Sequence, residues 1–179
     1  ERAMSNIIKP TLAELVRRGT PYRGVLYAGL MIKDEKPRLV EYNVRFGDPE
    51  CQVLMMRLGA QALDLMLACA EGHLSNITVN WAKDHALTVV MAAKGYPGAY
   101  NKGSIVRNLH NLSMSSKAMC FHAGTTKSDD LILANGGRVL NVTARADTLL
   151  EARNQAYKMV AEVDWPDGFF RNDIGWRAL

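Results

Sequence analysis

The chain has 179 residues, of which 48% are apolar and 22% charged, and its formal net charge is +4. This composition is typical of an ordinary soluble globular protein that can bury a sizeable core, as one domain or two small ones. Because the excess of Lys and Arg is small and scattered along the chain, the charge does not indicate a nucleic-acid-binding surface.

Cysteine usage and hydropathy argue against a protein built on disulfides or zinc and against a membrane protein. Cys51, Cys69 and Cys120 are odd in number, far apart and without a C-x-x-C pair, so they predict buried thiols of a reducing compartment rather than a disulfide or zinc framework. No run approaches the about 18 apolar residues that a membrane helix needs, and no signal peptide is visible. We therefore expect a cytoplasmic protein with neither a membrane nor a nucleic acid as partner.

The first part of the chain predicts a helix followed by a β-hairpin. Apolar residues recur at three- and four-residue spacing over residues 2–18, where Pro10 is expected to kink the helix and Gly19 to cap its end. The two predicted strands cover residues 24–33 and 38–44, and the polar turn Asp34-Glu35-Lys36-Pro37 joins them.

The middle of the chain predicts two helices and a change of pattern. The helices cover residues 50–58 and 60–71, with a break at Gly59. After a soft boundary near residues 75–80, short strands separated by Gly, Asn and Pro clusters indicate a small mixed or antiparallel sheet. These predicted strands cover residues 86–94, 103–107, 118–122, 130–134 and 138–144.

An amphipathic helix is predicted after the strands, over residues 148–163. Either Asp147 or Thr148 caps it, and Glu151 lies at the spacing that a capping box requires.

One stretch of the hairpin, from Leu39 to Glu50, carries polar groups in a pattern that suits metal and phosphate chemistry. A carboxylate and an amide oxygen are hard ligands that suit Mg²⁺, and a guanidinium beyond them suits a phosphate or a carboxylate. Such groups, two residues apart, lie roughly 6.5 to 7 Å from each other along a strand. A solvent-exposed strand face with a chance Glu-x-Asn-x-Arg gives the same pattern. The alternation places Glu41, Asn43 and Arg45 on one side and Tyr42, Val44 and Phe46, expected to pack, on the other.

The turn after this strand has two compatible interpretations. The chain turns at Gly47-Asp48-Pro49, and Glu50 begins the next predicted helix. Asp48 and Glu50 lie at the positive end of that helix, and Pro49 fits the rules for a helix start. Asp48 is therefore expected as an N-cap, as a ligand, or as both.

Two glycine-containing turns later in the chain are candidates for binding a phosphate. Gly124 and Thr125 follow a predicted strand, and backbone N–H groups in such a turn can face an anion. Gly136, Gly137 and Arg138 offer the same arrangement with an arginine attached. The two turns could together hold the phosphate of a ribosyl substrate, or they could be ordinary hairpin turns.

Four other polar residues have simpler interpretations. Lys102 is expected as a surface lysine, although its charge could meet a phosphate. His122 is expected as a hydrogen-bonded core residue rather than an acid or base. Arg171 and Asp173 are expected to form an ion pair that docks the end of the chain on the core.

Six ordered segments together resemble one family. EYNVRFGDPE, residues 41–50, is similar to the metal-binding strand and following turn of the phosphoribosylamine–glycine ligase (glycinamide ribonucleotide synthetase) family, ATP-grasp enzymes of purine synthesis. The resemblance runs from the first residue to the last. The other segments are GTPYRGVLYAGLMI (19–32), KGYPGAYNKG (94–103), FHAGTT (121–126), NGGRVLNVTA (135–144) and FRNDIGWRAL (170–179).

The resemblance implies a fold class, α+β, and a division of the chain. Residues 1–78 would be the C-terminal part of an ATP-grasp catalytic domain, and residues 79–179 a C-terminal domain with a small mixed or antiparallel sheet and a packed helix. It also implies a fragment, since the chain starts at Glu1 rather than Met and family members are considerably longer. The N-terminal portion of the same enzyme would be a missing partner, and the fragment would be inactive alone.

The resemblance further implies an activity and the roles of four residues. The enzyme would join phosphoribosylamine to glycine with ATP as co-substrate, through an acyl phosphate. Glu41 and Asn43 would hold Mg²⁺ (or Mn²⁺), Arg45 would contact the transferred phosphoryl group, and Asp48 could attract the ammonium group of glycine. In many ATP-grasp enzymes the first strand supplies another acidic ligand, whereas residues 25–28 contain none, which leaves the metal shell incomplete.

Two other classes of protein would share part of this sequence pattern. Another ATP-grasp carboxylate–amine ligase would share EYNVR but has no reason to share the segments after residue 94. A non-catalytic module derived from a ligase would tend to lose Glu41 or Asn43, and both are present.

Overall fold

The computed structural model describes residues 1–179, and its helices and antiparallel strands confirm the predicted α+β class. The chain forms two compact units, of which the first comprises residues 1–48 and 60–79 and the second residues 49–59 and 80–179. The helix over residues 50–58, which we expected in the first domain, thus belongs to the second unit. The division between residues 78 and 79 stays a prediction.

The first unit begins with the predicted helix, which is irregular before its proline. A π-helical turn over Met4–Ile8 leads into α1, Lys9–Arg17. Because Pro10 has no N–H group, the regular hydrogen-bond ladder cannot continue through it, and the wider turn lies directly before it. The predicted cap is confirmed: Gly19 has φ +76°, and its amide and the next one bond back to carbonyls of the last turn.

The predicted hairpin is confirmed with a tighter turn. Strand β1, Tyr27–Lys33, pairs antiparallel with β2, Lys36–Asn43, and only Asp34 and Glu35 lie between them. Both turn residues have positive φ, 51° and 57°, as a two-residue turn requires when it follows the right-handed twist of its strands. The predicted turn of four residues is therefore two residues too long, because Lys36 and Pro37 are already paired with β1 as part of β2.

The two predicted helices of the middle segment are confirmed, with the break at Gly59. Helix α2, Glu50–Leu58, belongs to the second unit, and α3, Gln61–Glu71, to the first. No single helix is long and apolar enough to cross a membrane. Helices α2 and α3 reach the necessary length and apolar composition only if the two are counted as one bent segment.

The second unit contains two antiparallel sheets. Their strands are β3 His85–Ala93, β4 Ile105–Val106, β5 Ala118–His122, β6 Thr125–Ser128, β7 Leu131–Ala134, β8 Arg138–Ala146 and β9 Gly168–Phe169. The larger sheet has the strand order β5-β8-β3-β9, and the smaller has the order β4-β7-β6. Five strands agree with the prediction to within a few residues, while β6 and β9 were not predicted, because TTKS has no apolar alternation and GF is only two residues long.

The core of the second unit lies where α4, Leu149–Glu162, packs on β3 and β8. Small buried residues of α4, such as Ala152 and Ala156, allow the helix to approach fully buried Val89 and Val142 of the sheet. Burying a Val or Leu side chain stabilises a fold by about 1.5–3 kcal/mol, so this layer stabilises the unit strongly. The predicted apolar stripe of the helix is confirmed.

The end of the chain is held by side chains of α4. The Tyr157 hydroxyl donates to the Arg171 carbonyl at 2.6 Å, and the Arg153 guanidinium donates to the carbonyls of Asn172 and Ile174 at 2.9 and 3.0 Å. The predicted pair between Arg171 and Asp173 is confirmed at 2.7 Å, and this arginine lowers the pKa of the Asp173 carboxyl. The pair joins two exposed neighbours within the segment, however, so the docking contacts come from α4.

We predict that Thr148→Ala lowers the free energy of unfolding by about 1 kcal/mol. The Thr148 hydroxyl accepts from the Glu151 amide at 3.2 Å, and the Glu151 carboxylate accepts from the Thr148 amide at 3.2 Å, so the structure selects Thr148 as the cap. Urea unfolding measures the change. Gln155→Ala, on the exposed face of the same helix, is the control and should change stability by only a few tenths of a kcal/mol. Equal losses in the two variants would contradict the capping role.

We predict that Cys120 resists alkylation in the folded protein. Burial raises the pKa of the Cys120 thiol to about 11, so about one molecule in a thousand carries the reactive thiolate at pH 8. None of the three cysteines forms a disulfide, and all three are half-buried rather than buried as expected. Iodoacetamide labelling followed by mass spectrometry should modify Cys120 far faster in urea than in buffer. Equal rates of Cys120 labelling in urea and in buffer would contradict its protection by burial.

Candidate functional site

Two of the predicted site residues lie side by side on the hairpin of the first unit. In the register of β1 and β2, Glu41 faces Gly29 and Asn43 faces Tyr27. The Asn43 side-chain amide donates to a carboxylate oxygen of Glu41 at 3.1 Å, so the two side chains share one face of the ribbon. Glu41 is exposed and Asn43 half-buried, which leaves both accessible to a ligand from solvent.

Gly29 provides the space beside the carboxylate. A Cβ atom at this position would lie 3.1 Å from the Glu41 Cγ atom, which is tighter than an ordinary contact. Any side chain here would therefore press on Glu41. Glycine inside a strand marks a close approach of another group, and this signal was available in the sequence but was missed.

The donor set of this pair fits a magnesium ion in part. A carboxylate and an amide oxygen are ligands that Mg²⁺ accepts, and Mg²⁺ keeps several waters and phosphate oxygens in its shell. To bind, the Asn43 amide has to turn its oxygen toward the ion, because its nitrogen faces Glu41 in this structure. No group of three or more His, Cys, Asp or Glu side chains is placed to hold a metal. The pair can therefore supply two ligands of a shared ion and no complete cage.

The third predicted group, Arg45, lies beyond the strand. Strand β2 ends at Asn43, and the Arg45 guanidinium donates to the Phe46 carbonyl at 2.8 Å. Val44 is 71% exposed, so the expectation that it packs beside Tyr42 is wrong. The strict alternation stops where the strand stops, and Arg45 is an exposed cation on the following segment.

The turn after Arg45 differs from the prediction at one position. Pro49 occupies the N-cap position of α2, where we expected Asp48. Asp48 is half-buried and precedes the helix by two residues. Its predicted capping role is therefore wrong, while its ligand role stays a prediction.

The two glycine turns of the second unit meet backbone to backbone. A Cβ atom on Gly124 would lie 2.7 Å from the Gly136 Cα atom and 2.5 Å from the Arg138 carbonyl oxygen. The Gly124 amide donates to that carbonyl at 2.9 Å, and the Asn135 amide donates to the Gly124 carbonyl at 2.7 Å. The turns face each other as predicted, but the Gly124 amide is already engaged and a phosphate has no room between them.

Three further predicted residues lie around these turns. Thr125 is the first residue of β6 rather than part of a turn, and its hydroxyl lies 2.9 Å from the His122 Nδ1 atom. His122 is exposed, so the expectation of a core histidine is wrong, although its hydrogen bond is present. Buried Gly137 lies under the Tyr96 ring, which a Cβ atom at that position would overlap at 2.2 Å.

Two family models match consecutive parts of the chain. The model described as phosphoribosylglycinamide synthetase, ATP-grasp (A) domain, matches residues 1–51, which include Glu41, Asn43, Arg45 and Asp48. The model described as phosphoribosylglycinamide synthetase, C domain, matches residues 86–177, more than half of the chain.

Relatives with this name cover almost the whole chain. A phosphoribosylamine–glycine ligase from Brucella melitensis is 50% identical over 99% of the chain and 42% of its own length. One from Arabidopsis thaliana, named chloroplastic, is 51% identical over 98% of the chain and 34% of its own length. The crystal structure of the Thermotoga maritima ligase superposes with a TM-score of 0.82 at 33% identity, covering 95% of the chain and 41% of that protein.

The chain thus spans about 42% of the length of the bacterial relatives that it matches. With its C-domain match over more than half of its residues and an A-domain match before it, the chain belongs to the phosphoribosylglycinamide synthetase family.

Proposed function

We propose that the chain is the C-terminal portion of a ligase that joins 5-phosphoribosylamine and glycine, with conversion of ATP to ADP and phosphate, to form glycinamide ribonucleotide in purine synthesis. The observation that carries this proposal is the pairing of Glu41 and Asn43 on one face of a hairpin, within the segment that matches the ATP-grasp model. The names of the relatives support the reaction. We propose residues 1–78 as the C-terminal part of the ATP-grasp domain and residues 79–179 as the C-terminal domain.

The reaction proceeds in two steps. The carboxylate of glycine attacks the γ-phosphate of ATP, which forms glycyl phosphate and releases ADP. The amine of phosphoribosylamine then attacks the acyl carbon, displaces phosphate and forms the amide. Because phosphoryl transfer requires mainly positioning and neutralisation of charge, the enzyme has to supply oriented polar groups rather than a covalent intermediate of its own.

The hairpin supplies the groups for the first step. Glu41 and Asn43 would hold Mg²⁺ (or Mn²⁺), and the bound ion would neutralise charge on the phosphates of ATP. Arg45 has an exposed guanidinium whose donors can bind the transferred phosphoryl group. Asp48 provides a negative charge for the ammonium group of glycine.

The second unit contributes to binding phosphoribosylamine. Among the candidate residues Gly124, Thr125, Gly136, Gly137 and Arg138, only Arg138 carries a charge. The Gly124 amide is engaged, and buried Gly137 lies under the Tyr96 ring. We therefore assign the contact with the substrate phosphate to Arg138. We propose a cytoplasmic location, whereas the Arabidopsis relative is named chloroplastic.

We predict that Glu41→Gln, in protein that includes the complete ATP-grasp domain, lowers kcat by about 100-fold or more, since a bound cation stabilises the phosphoryl-transfer transition state by several kcal/mol. Folding should be unchanged, because Glu41 is exposed. Formation of glycinamide ribonucleotide and its dependence on Mg²⁺ concentration measure the effect.

Glu35→Gln is the matched control for this variant. Glu35 is also an exposed glutamate of the hairpin, at its turn, where it pairs only with Arg2 at 3.2 Å. The control should retain full activity. A near-normal rate for Glu41→Gln would remove the metal assignment.

We predict that the 179-residue chain alone has no measurable ligase turnover. It spans about 42% of the length of its bacterial relatives, so groups elsewhere in the whole protein have to contribute to ATP binding. A coupled assay for ADP and a direct assay for glycinamide ribonucleotide test this. Product formed by the chain alone would show that these residues contain the whole catalytic machinery.

A further inference from the structure

The turn between β7 and β8 carries the one asparagine of the chain that is followed by glycine. The turn consists of Asn135, Gly136 and Gly137, and Asn135 is exposed. The backbone nitrogen that follows an asparagine can attack the asparagine side chain, and glycine hinders this attack least because it has no Cβ atom. Every other asparagine of the chain is followed by a residue with a side chain.

The two reacting groups of this turn take part in no hydrogen bond within the chain. The backbone amide of Asn135 donates to the Gly124 carbonyl at 2.7 Å, so the residue itself is held in place. Its side-chain amide and the backbone amide of Gly136 have no such partner. An amide that was hydrogen-bonded would have to break its bond before it could react, and here neither group has to.

Packing requires the glycine that makes Asn135 reactive. A Cβ atom on Gly136 would lie 2.9 Å from the Gly124 Cα atom, closer than real Cβ contacts. A larger residue, which would shield Asn135 by steric hindrance, therefore cannot occupy position 136 unless the backbone of the neighbouring turn moves. The close contact between the two turns thus keeps the reactive sequence in place.

The reaction needs only water as a second reactant. The Gly136 nitrogen bonds to the Asn135 Cγ atom, the bond from Cγ to Nδ2 breaks, and Nδ2 leaves as ammonia with the proton of the Gly136 amide. Water then opens the resulting five-membered imide. Hydrolysis of the bond from the Gly136 nitrogen to Cγ gives aspartate, and hydrolysis of its bond to the backbone carbonyl carbon gives isoaspartate. No atom is oxidised or reduced.

Both products change the turn that leads to Arg138. Each places a carboxylate at position 135, three residues before the guanidinium that we assign to the substrate phosphate. Isoaspartate also lengthens the main chain by one atom, and the contact of Gly136 with Gly124 leaves no space for it. The modification should therefore weaken the binding of an anionic substrate, as charge-changing modifications do when they add a like charge.

We propose that Asn135 is a site of spontaneous deamidation whose products weaken the binding of phosphoribosylamine. The effect on binding rests on the proposed function and on the assignment of Arg138 to the phosphate. The modification itself rests only on the chemistry and the surroundings of Asn135.

Mass spectrometry of the full-length protein tests the modification. After several days in mildly alkaline buffer, trypsin releases residues 128–138, a peptide whose only amide side chain is that of Asn135. Its mass should rise by the replacement of NH with oxygen, and the fraction converted should grow with the pH of the incubation because the attacking amide has to lose its proton. Endoproteinase Asp-N distinguishes the products, since it cleaves before aspartate and not before isoaspartate.

Asn154 is the internal control for this measurement. It is also exposed and belongs to the same unit, but Gln155 follows it. The tryptic peptide of residues 154–158 should remain largely unconverted. Conversion of Asn135 no faster than that of Asn154 would overturn the proposed site.

Three variants of the full-length protein test the effect on binding. Asn135→Asp should raise KM for phosphoribosylamine about 3- to 10-fold, because the added charge repels the substrate phosphate. KM for glycine should change less than about twofold. Asn154→Asp makes the same change of charge on helix α4 and should leave both constants unchanged.

Asn135→Ser removes the reacting side chain. Asn135 does not have a positive φ, so serine fits its backbone conformation. Freshly prepared Asn135→Ser should have the activity of the wild type and should keep it during the incubation, whereas KM for phosphoribosylamine should rise in the incubated wild type.

The outcomes separate this inference from the proposed function. If Asn135 is converted and KM for phosphoribosylamine stays the same in Asn135→Asp and in incubated wild type, the effect on binding is refuted. An equal loss of affinity in incubated Asn135→Ser would refute it as well. A full-length wild type that forms no glycinamide ribonucleotide would refute the proposed function instead, while the masses of the two peptides would still decide whether Asn135 is the site of modification.

Discussion

The antiparallel pairing of β3 with β8 is the constraint on which the second unit depends. The two strands pair from His85 opposite Ala146 to Ala92 opposite Arg138, and each of the other large elements is attached to this ribbon. Helix α4 covers it through small buried residues, while α2 is held to β8 by the Arg145 guanidinium. Because side chains alternate along β8, one strand supplies an apolar layer through Val142 and a polar attachment through Arg145.

The same alternation, on a smaller scale, produces the candidate metal site. Because side chains two residues apart point to the same face of a strand, the Glu41 carboxylate and the Asn43 amide lie on one face of β2. The hydrogen bond between them shows that they are close enough to contact a common ligand. The hairpin does this without a buried core of its own, since residues such as Val40 and Ile32 are largely exposed. Local geometry and the tight turn at Asp34 and Glu35 therefore suffice to place the pair.

Much of this architecture could be predicted from sequence, because the signals are local. Thr148 and Glu151 are three residues apart, the Gly59 break is a single residue, and β5 is a short, mainly apolar run that follows Lys117. The contacts that escaped prediction are those between distant positions. Nothing near Arg145 in the sequence indicates Asp84 as its ion-pair partner. The turns of Gly124 and Gly136 were expected to face each other, but nothing in the sequence indicates that their backbones are in direct contact.

Gly29 shows how the space that a neighbouring side chain occupies can limit the choice of residue in a strand. A β-branched residue would suit a strand better than glycine, which gives up packing and loses more chain entropy on folding. At this position, however, the first carbon of any side chain would crowd Glu41. The hairpin is therefore restricted to a residue of low strand propensity at this position, and a β-branched substitution that raises the strand propensity of β1 should also displace the Glu41 side chain.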